Sequence, residues 1–148
     1  MKEQKQPKPS SFSLVDFKMP RFEFNEPEKP EGSLELGFFP TGEYNPELSE
    51  FLLRLEFKAF EFDSKIKDEV ARVTVLMESK FRFSEKTSFE EIPAYFYQNS
   101  IAIIFPYIRA FVSNITLQSN IVTPIIIPTY NLTSLGDVLK QSTTVVEE

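Results

Sequence analysis

The stretch that decides the fold is SIAIIFPYIRAFVSNITLQ, residues 100–118. Its apolar residues Ile101, Ile104, Phe105, Ile108, Val112 and Ile115 recur at three- and four-residue steps, the spacing of one face of an α-helix. Pro106 stands inside the run. It has no backbone N–H and crowds the carbonyl four residues back, so it predicts a kink or a split into two helices. The opposite face is the unusual one. A helix on the surface of a small monomer normally turns charge toward solvent, yet Gln98, Asn99, Ser100, Ser113, Asn114 and Gln118 are all neutral. Over residues 91–136 the charges are Glu91 and Arg109 alone. The reading is a helix covered twice, by its own sheet and by a second copy of the chain. It makes Ile101, Ile104, Phe105, Ile108, Arg109 and Val112 expected oligomer-interface residues, with Phe17 and Met19 from a strand upstream. Arg109 would pair a carboxylate or cap carbonyls there, because a buried, unpaired guanidinium is too costly.

Upstream of the helix the period changes to two. Phe51, Leu53, Leu55, Phe57 and Ala59 alternate with Leu52, Arg54, Glu56 and Lys58, and Ala71, Val73, Val75 and Met77 with Arg72, Thr74, Leu76 and Glu78, a phase that Phe81 and Phe83 continue. Each run is a strand with one face toward a core, and residues 63–68 are the turn between them. Leu34, Leu36 and Phe38 mark an earlier strand after a turn at Pro27, Pro30 and Gly32. Phe12 to Phe24 reads as the first, with its apolar phase changing near Pro20. That demands a bulge or bend and suits an edge position. Four strands joined by short turns predict an antiparallel meander. Ser88 and Glu91 have capping-box spacing ahead of the helix. Residues 121–128 read as extended and apolar, with Ile125, Ile126 and Ile127 between two prolines, and 132–140 as a short last helix. The expected architecture is α+β: a four-stranded antiparallel sheet, a long kinked helix and a short C-terminal helix. Residues 12–140 form one domain between tails at 1–11 and 141–148.

Composition narrows the chemistry. In 148 residues there is no Cys, His or Trp. Thiolate nucleophiles and thiolate metal sites are excluded, and with them the usual near-neutral general base; the expectation is a non-enzyme with no cofactor and no metal. A net charge of -6, from 22 acidic and 16 basic residues, makes nucleic acid a poor partner. No unbroken apolar stretch approaches the roughly 20 residues of a membrane span, and the polar, Lys-rich start shows no signal peptide. A cytoplasmic protein is the expectation. Sixteen Phe beside only four Gly is the remaining oddity.

Phe105-Pro106-Tyr107-x-Arg109, followed by Pro124-Ile125-Ile126-Ile127-Pro128 and Asn131-Leu132-x-x-Leu135, resembles the SecB family of bacterial protein-export chaperones. Phe12-x-Leu14, Phe22-x-Phe24, Pro30-Glu31 and Leu34-x-Leu36 match its first two strands more loosely. The resemblance spans roughly residues 12–140. It implies a dimer of dimers with helices between two sheets. It also implies that unfolded or precursor polypeptides are held in apolar grooves without ATP and passed to the SecA motor. By alternation and by groove position in that family, the client-binding residues expected are Phe38, Phe39, Phe81, Phe83, Ile125, Ile127, Tyr130 and Leu132. Where the family carries two acids that engage SecA, this chain has Arg21 and Asn25; Glu23, Glu26 and Glu28 lie close by as candidate docking residues. The turn between the first two strands is also shorter than in the family. SecB-like chaperones dedicated to toxin–antitoxin systems are therefore an alternative.

Other features have plainer readings. Asp63, Lys65, Lys67, Asp68 and Glu69 fit a solvated hairpin better than a catalytic cluster, and the acidic run from Glu23 to Glu50 fits a protected, soluble edge. Tyr95, Phe96 and Tyr97 suit a client groove or an anchor for the helix equally well. A small apolar-ligand carrier, with a cavity enclosed between sheet and helix, is the rival from another class.

Overall fold

In the computed structural model the described residues are 11–26, 33–120, 124–128 and 130–146. The expected turn at residues 27–32 with Glu28, residues 121–123 and 129, residues 1–10 of the first tail and residues 147–148 of the second lie outside them.

The strands are β1 (Phe12–Phe24), β2 (Glu35–Asn45), β3 (Glu50–Asp63), β4 (Asp68–Phe83) and β5 (Thr143–Val145); the helices are α1 (Ala94–Ser119) and α2 (Leu132–Gln141). They form one sheet in the order β1-β4-β3-β2-β5. The α+β class and the four antiparallel strands are as the sequence indicates, but only β2, β3 and β4 run as a meander. β1 pairs with β4 instead of β2, which gives the Greek-key order. Alternation along a strand says which face is buried and nothing about the neighbour, so pairing could not be read from it.

β1 carries the expected irregularity at Pro20, a register shift between Lys18 and Arg21, and a second between Leu14 and Asp16. Two shifts let Phe12, Leu14, Phe17, Phe22 and Phe24 share the helix-facing side although their spacing is not even. β2 is longer than expected, running through Pro40 and Gly42. Pro40 is tolerated because its missing N–H lies on the side away from β3. Its carbonyl there accepts from Ser142 Oγ at 2.9 Å. At Gly42 any Cβ would come within 2.5 Å of the Phe51 ring and 2.7 Å of Thr143 Oγ1. Glycine admits β5 there.

β5 corrects the expectation of a tail at 141–148. Residues 143–145 pair parallel to Gly42–Tyr44, and the Val146 N–H donates to the Tyr44 carbonyl at 2.8 Å. With α2 they cover the β2 edge and leave β1 as the open one.

The capping box is present, but it closes a short 3-10 turn at Phe89–Glu91, where the Glu91 carboxylate accepts from the Ser88 N–H and hydroxyl. α1 begins after Pro93 and runs through Pro106 as one helix of 26 residues. The chain tolerates Pro106 because it lies on the exposed side of the helix. The mean hydropathy of α1 reaches 1.5, enough in length and composition for a membrane span, although no unbroken apolar run is that long. Here its apolar stripe lies on the sheet. Phe96, Ile101, Ile104, Phe105, Ile108 and Val112 are buried against Phe51, Leu53, Leu55, Phe57, Val73, Val75, Met77, Phe81 and Phe83. Phe96 is the hub, its ring centroid 4.8 Å from Phe12 and Phe51 and 5.0 Å from Phe83. The segment after α1 is tied back to it. Thr116 Oγ1 accepts from the Ile125 N–H at 3.0 Å, and Ser113 Oγ donates to the Ile125 carbonyl at 3.0 Å.

Candidate functional site

With one edge closed by β5, the open surface of the molecule is β1 and the outer face of α1. β1 exposes Val15, Phe17 and Phe22; α1 exposes Tyr95, Ile103, Tyr107 and Leu117. Ring contacts join the two sets: Phe17 to Tyr107 at 4.6 Å and Phe22 to Phe111 at 5.5 Å. Ala102, Pro106, Ala110 and Asn114 are exposed on the same helix face and carry no charge. The result is a wide apolar surface beside a strand edge whose backbone groups have no partner strand among the described residues.

This geometry corrects several assignments. Ile101, Ile104, Phe105, Ile108 and Val112, expected at an interface between copies, all face the chain's own sheet. One helical stripe does not serve two surfaces: α1 carries a second, weaker stripe at 103, 107, 110 and 117, spaced by four, three and seven residues. Phe17 and Met19 are at the β1 edge as expected, Phe17 exposed and Met19 half-buried. Arg109 is exposed and makes no hydrogen bond or ion pair among the described residues.

The expected client-binding residues separate in the same way. Phe81, Phe83, Phe38, Ile125 and Ile127 are buried in the core and offer no surface to a client in this chain. Alternation put Phe81 and Phe83 on the core face, and that face is filled by α1. Phe39 points from the outer face of the sheet and is 47% exposed. Tyr130 and Leu132 are half-buried against the core; Tyr130 stacks edge-on to Phe38 at 4.8 Å. Between the buried Ile125 and Ile127, Ile126 projects outward and is 79% exposed. Half-buried Tyr130 and Leu132 and exposed Ile126 thus all belong to the chain that follows α1. Of the candidate docking acids, Glu23 pairs with Arg21 at 3.1 Å and Glu26 is exposed.

The outer face of the sheet is otherwise laced with ion pairs: Arg54 with Glu43 and Glu78, Lys58 with Glu56, and Arg82 with Glu50. Burial raises the Tyr44 and Tyr97 phenols above their ordinary value, so both stay neutral, and the Tyr44 hydroxyl donates to the Thr87 carbonyl. The Ser88 hydroxyl and N–H hold the Glu91 carboxyl below its ordinary value. These three groups cluster at the turn before α1 and fix its start. No group of three or more metal-ligating side chains occurs among the described residues.

No family model matches the sequence, and no curated protein matches it. Solved structures do. The SecB-like chaperone Rv1957 of Mycobacterium tuberculosis, determined in complex with a ChAD peptide from the Rv1956 HigA1 antitoxin, superposes with a TM-score of 0.61 at 19% identity, over 81% of this chain and 91% of that one. The fold is SecB-like. A protein of unknown function from Streptococcus agalactiae overlaps at a TM-score of 0.40 and 8% identity, covering 81% of this chain and 98% of that one, too remote to bear on the site.

Proposed function

We propose that this protein is an ATP-independent holdase chaperone, without enzymatic activity or cofactor, that captures unfolded or extended polypeptide segments and works as an oligomer in the cytoplasm. The observation that carries the reading is the apolar surface of β1 and α1, with Phe17, Phe22, Ile103, Tyr107 and Leu117 exposed and Arg109 the one charge of α1. Exposed apolar surface on this scale marks an interaction site. A second copy covering the α1 face explains its lack of charge. Clients then fall to the rings and aliphatic groups left open, Phe39, Ile126, Tyr130 and Leu132. An apolar-ligand carrier fits less well, because the space between α1 and the sheet is filled by Phe51, Phe81, Phe83 and Phe96.

The test is dilution of a denatured protein into nucleotide-free buffer. Protection at about one client per oligomer, indifferent to ATP, supports the reading; no protection at several-fold excess overturns it. In parallel, Tyr107→Glu with Leu117→Glu should lower the mass seen by light scattering, since two charges cannot be buried unpaired.

The identity of the client divides the reading. A chaperone dedicated to an antitoxin is favoured over a general export factor by two observations: the SecB-like neighbour holds an antitoxin peptide, and Arg21 and Asn25 stand where the export family carries acids. The export reading requires binding of SecA. The dedicated reading requires tight capture of one antitoxin segment without it.

A further inference from the structure

At the end of the sheet away from the turn between β2 and β3, the outer face changes character. A pocket of about 560 Å³ opens there, lined by Ser33, Glu35, Phe60, Glu61, Phe62 and Glu69 together with Ser64. It sits apart from α1 and from the β1 edge. Two cross-strand pairs build it: Glu35 of β2 lies opposite Phe60 of β3, and Phe62 of β3 lies opposite Glu69 of β4. Each ring therefore stands beside a carboxylate. Phe62 is 57% exposed. Phe39 extends the apolar floor, its ring centroid 6.4 Å from that of Phe60 and nearly perpendicular to it. The rings come together because Gly37 has no side chain; a Cβ there would lie 3.0 Å from the Phe39 ring and 3.7 Å from that of Phe60.

The charges are arranged unevenly. Glu61 is already held by Arg72 at 2.8 Å, and Lys58 by Glu56 at 3.3 Å. Among the described residues Glu35 and Glu69 have no ion-pair partner and no cation lines the pocket; Lys65 and Lys67 belong to the adjoining turn. Elsewhere on this face carboxylates are matched by bases. Here two unmatched ones flank one exposed ring, Phe62, and one half-buried ring, Phe60, an arrangement that suits a planar cation. A guanidinium stacks on an aromatic face through the ring quadrupole and offers a fork of N–H donors to carboxylates.

We infer that this pocket is a docking site for an arginine-bearing, otherwise apolar segment of a partner protein, with the guanidinium on Phe62 and Phe60 between Glu35 and Glu69. The apolar neighbours of that arginine cover Phe39. The site shares Phe39 with the proposed client surface, but its centre at Glu35, Phe60, Phe62 and Glu69 lies outside that surface and does not depend on the holdase reading.

The experiment uses the full chain and dye-labelled hexapeptides in which leucine alternates with arginine, lysine or glutamate, with binding read by fluorescence anisotropy. The arginine peptide binds tightest, the lysine peptide more weakly because it lacks the planar fork, and the glutamate peptide at least about tenfold more weakly. Phe62→Ser and Glu69→Gln each raise Kd for the arginine peptide about three- to tenfold, and added salt weakens binding in the wild type. Both substitutions are at exposed positions, so folding is retained and is verified by circular dichroism. Equal affinity for the arginine and glutamate peptides, or wild-type affinity in both variants, overturns the inference. Suppression of client aggregation, measured on Glu69→Gln, stays at the wild-type level. Its failure in both wild type and variant would remove the holdase reading and leave this one standing.

Discussion

Phe96 and Tyr95 are neighbours at the start of α1 that the structure sends in opposite directions, and replacing each with alanine separates a helix anchor from a surface residue. Phe96 is fully buried among Phe12, Phe51, Phe81 and Phe83. A phenylalanine removes about 200 Å² from water, which at about 25 cal/mol per Å² is about 5 kcal/mol. Alanine recovers a small part of that area and gains about 0.5 kcal/mol of helix propensity. The cavity left among four rings cannot collapse easily, which adds a cost. The expected net loss for Phe96→Ala is about 4 kcal/mol, a large share of the roughly 5–15 kcal/mol that holds a domain together. Tyr95 is exposed, and Tyr95→Ala should change stability by less than about 0.5 kcal/mol. Urea unfolding at one fixed protomer concentration is the assay, because oligomerisation would otherwise shift the midpoint. A loss below about 1.5 kcal/mol for Phe96→Ala, or comparable losses for the two variants, would refute the assignment of Phe96 as the pin between helix and sheet.

Three further outcomes are expected. The Ser79 hydroxyl is fully buried on the inner face of β4 with no hydrogen-bond partner among the described residues; Ser79→Ala should stabilise the protein by about 1 kcal/mol in the same urea titration. Glu61 and Arg72 form a largely buried pair, so Arg72→Met alone should cost about 3 kcal/mol by removing one partner of a buried ion pair. The double variant Arg72→Met with Glu61→Leu should recover most of that loss in thermal unfolding. The Glu91 carboxyl is held below its ordinary value by Ser88. Its contribution is therefore fully present above the unfolded carboxylate value and is lost as pH falls through the lowered, folded one. The Tm gap between wild type and Glu91→Gln should accordingly narrow between neutral pH and pH 3, and a gap that stays constant would remove Glu91 from the account.

Much of this molecule is dictated by local pattern. The period-2 runs at 51–59 and 71–83 settle which face of each strand is buried, because alternation decides it; the 101–112 stripe marks a buried helix face without saying whether the chain's own sheet or a second copy covers it. The phase change at Pro20 foretold a bulge, and Ser88 with Glu91 foretold a cap, since both depend on residues within one turn. Conformation of the chain between neighbouring residues is local physics, and sequence carries it.

What the tertiary structure alone decided is pairing and exposure. β1 joins β4, and Thr143–Val145 close the β2 edge, because strand partners are chosen by the shape of the whole sheet and three residues carry no periodicity. Phe81 and Phe83 lie under Phe96 and α1, while Ile126 lies in the open between two buried isoleucines. The same apolar residue type serves as core or as surface according to what the rest of the chain lays over it. The unmatched carboxylates of Glu35 and Glu69 are as invisible in the sequence. They stand 34 positions apart and become one pocket only because β3 brings Phe60 and Phe62 between them.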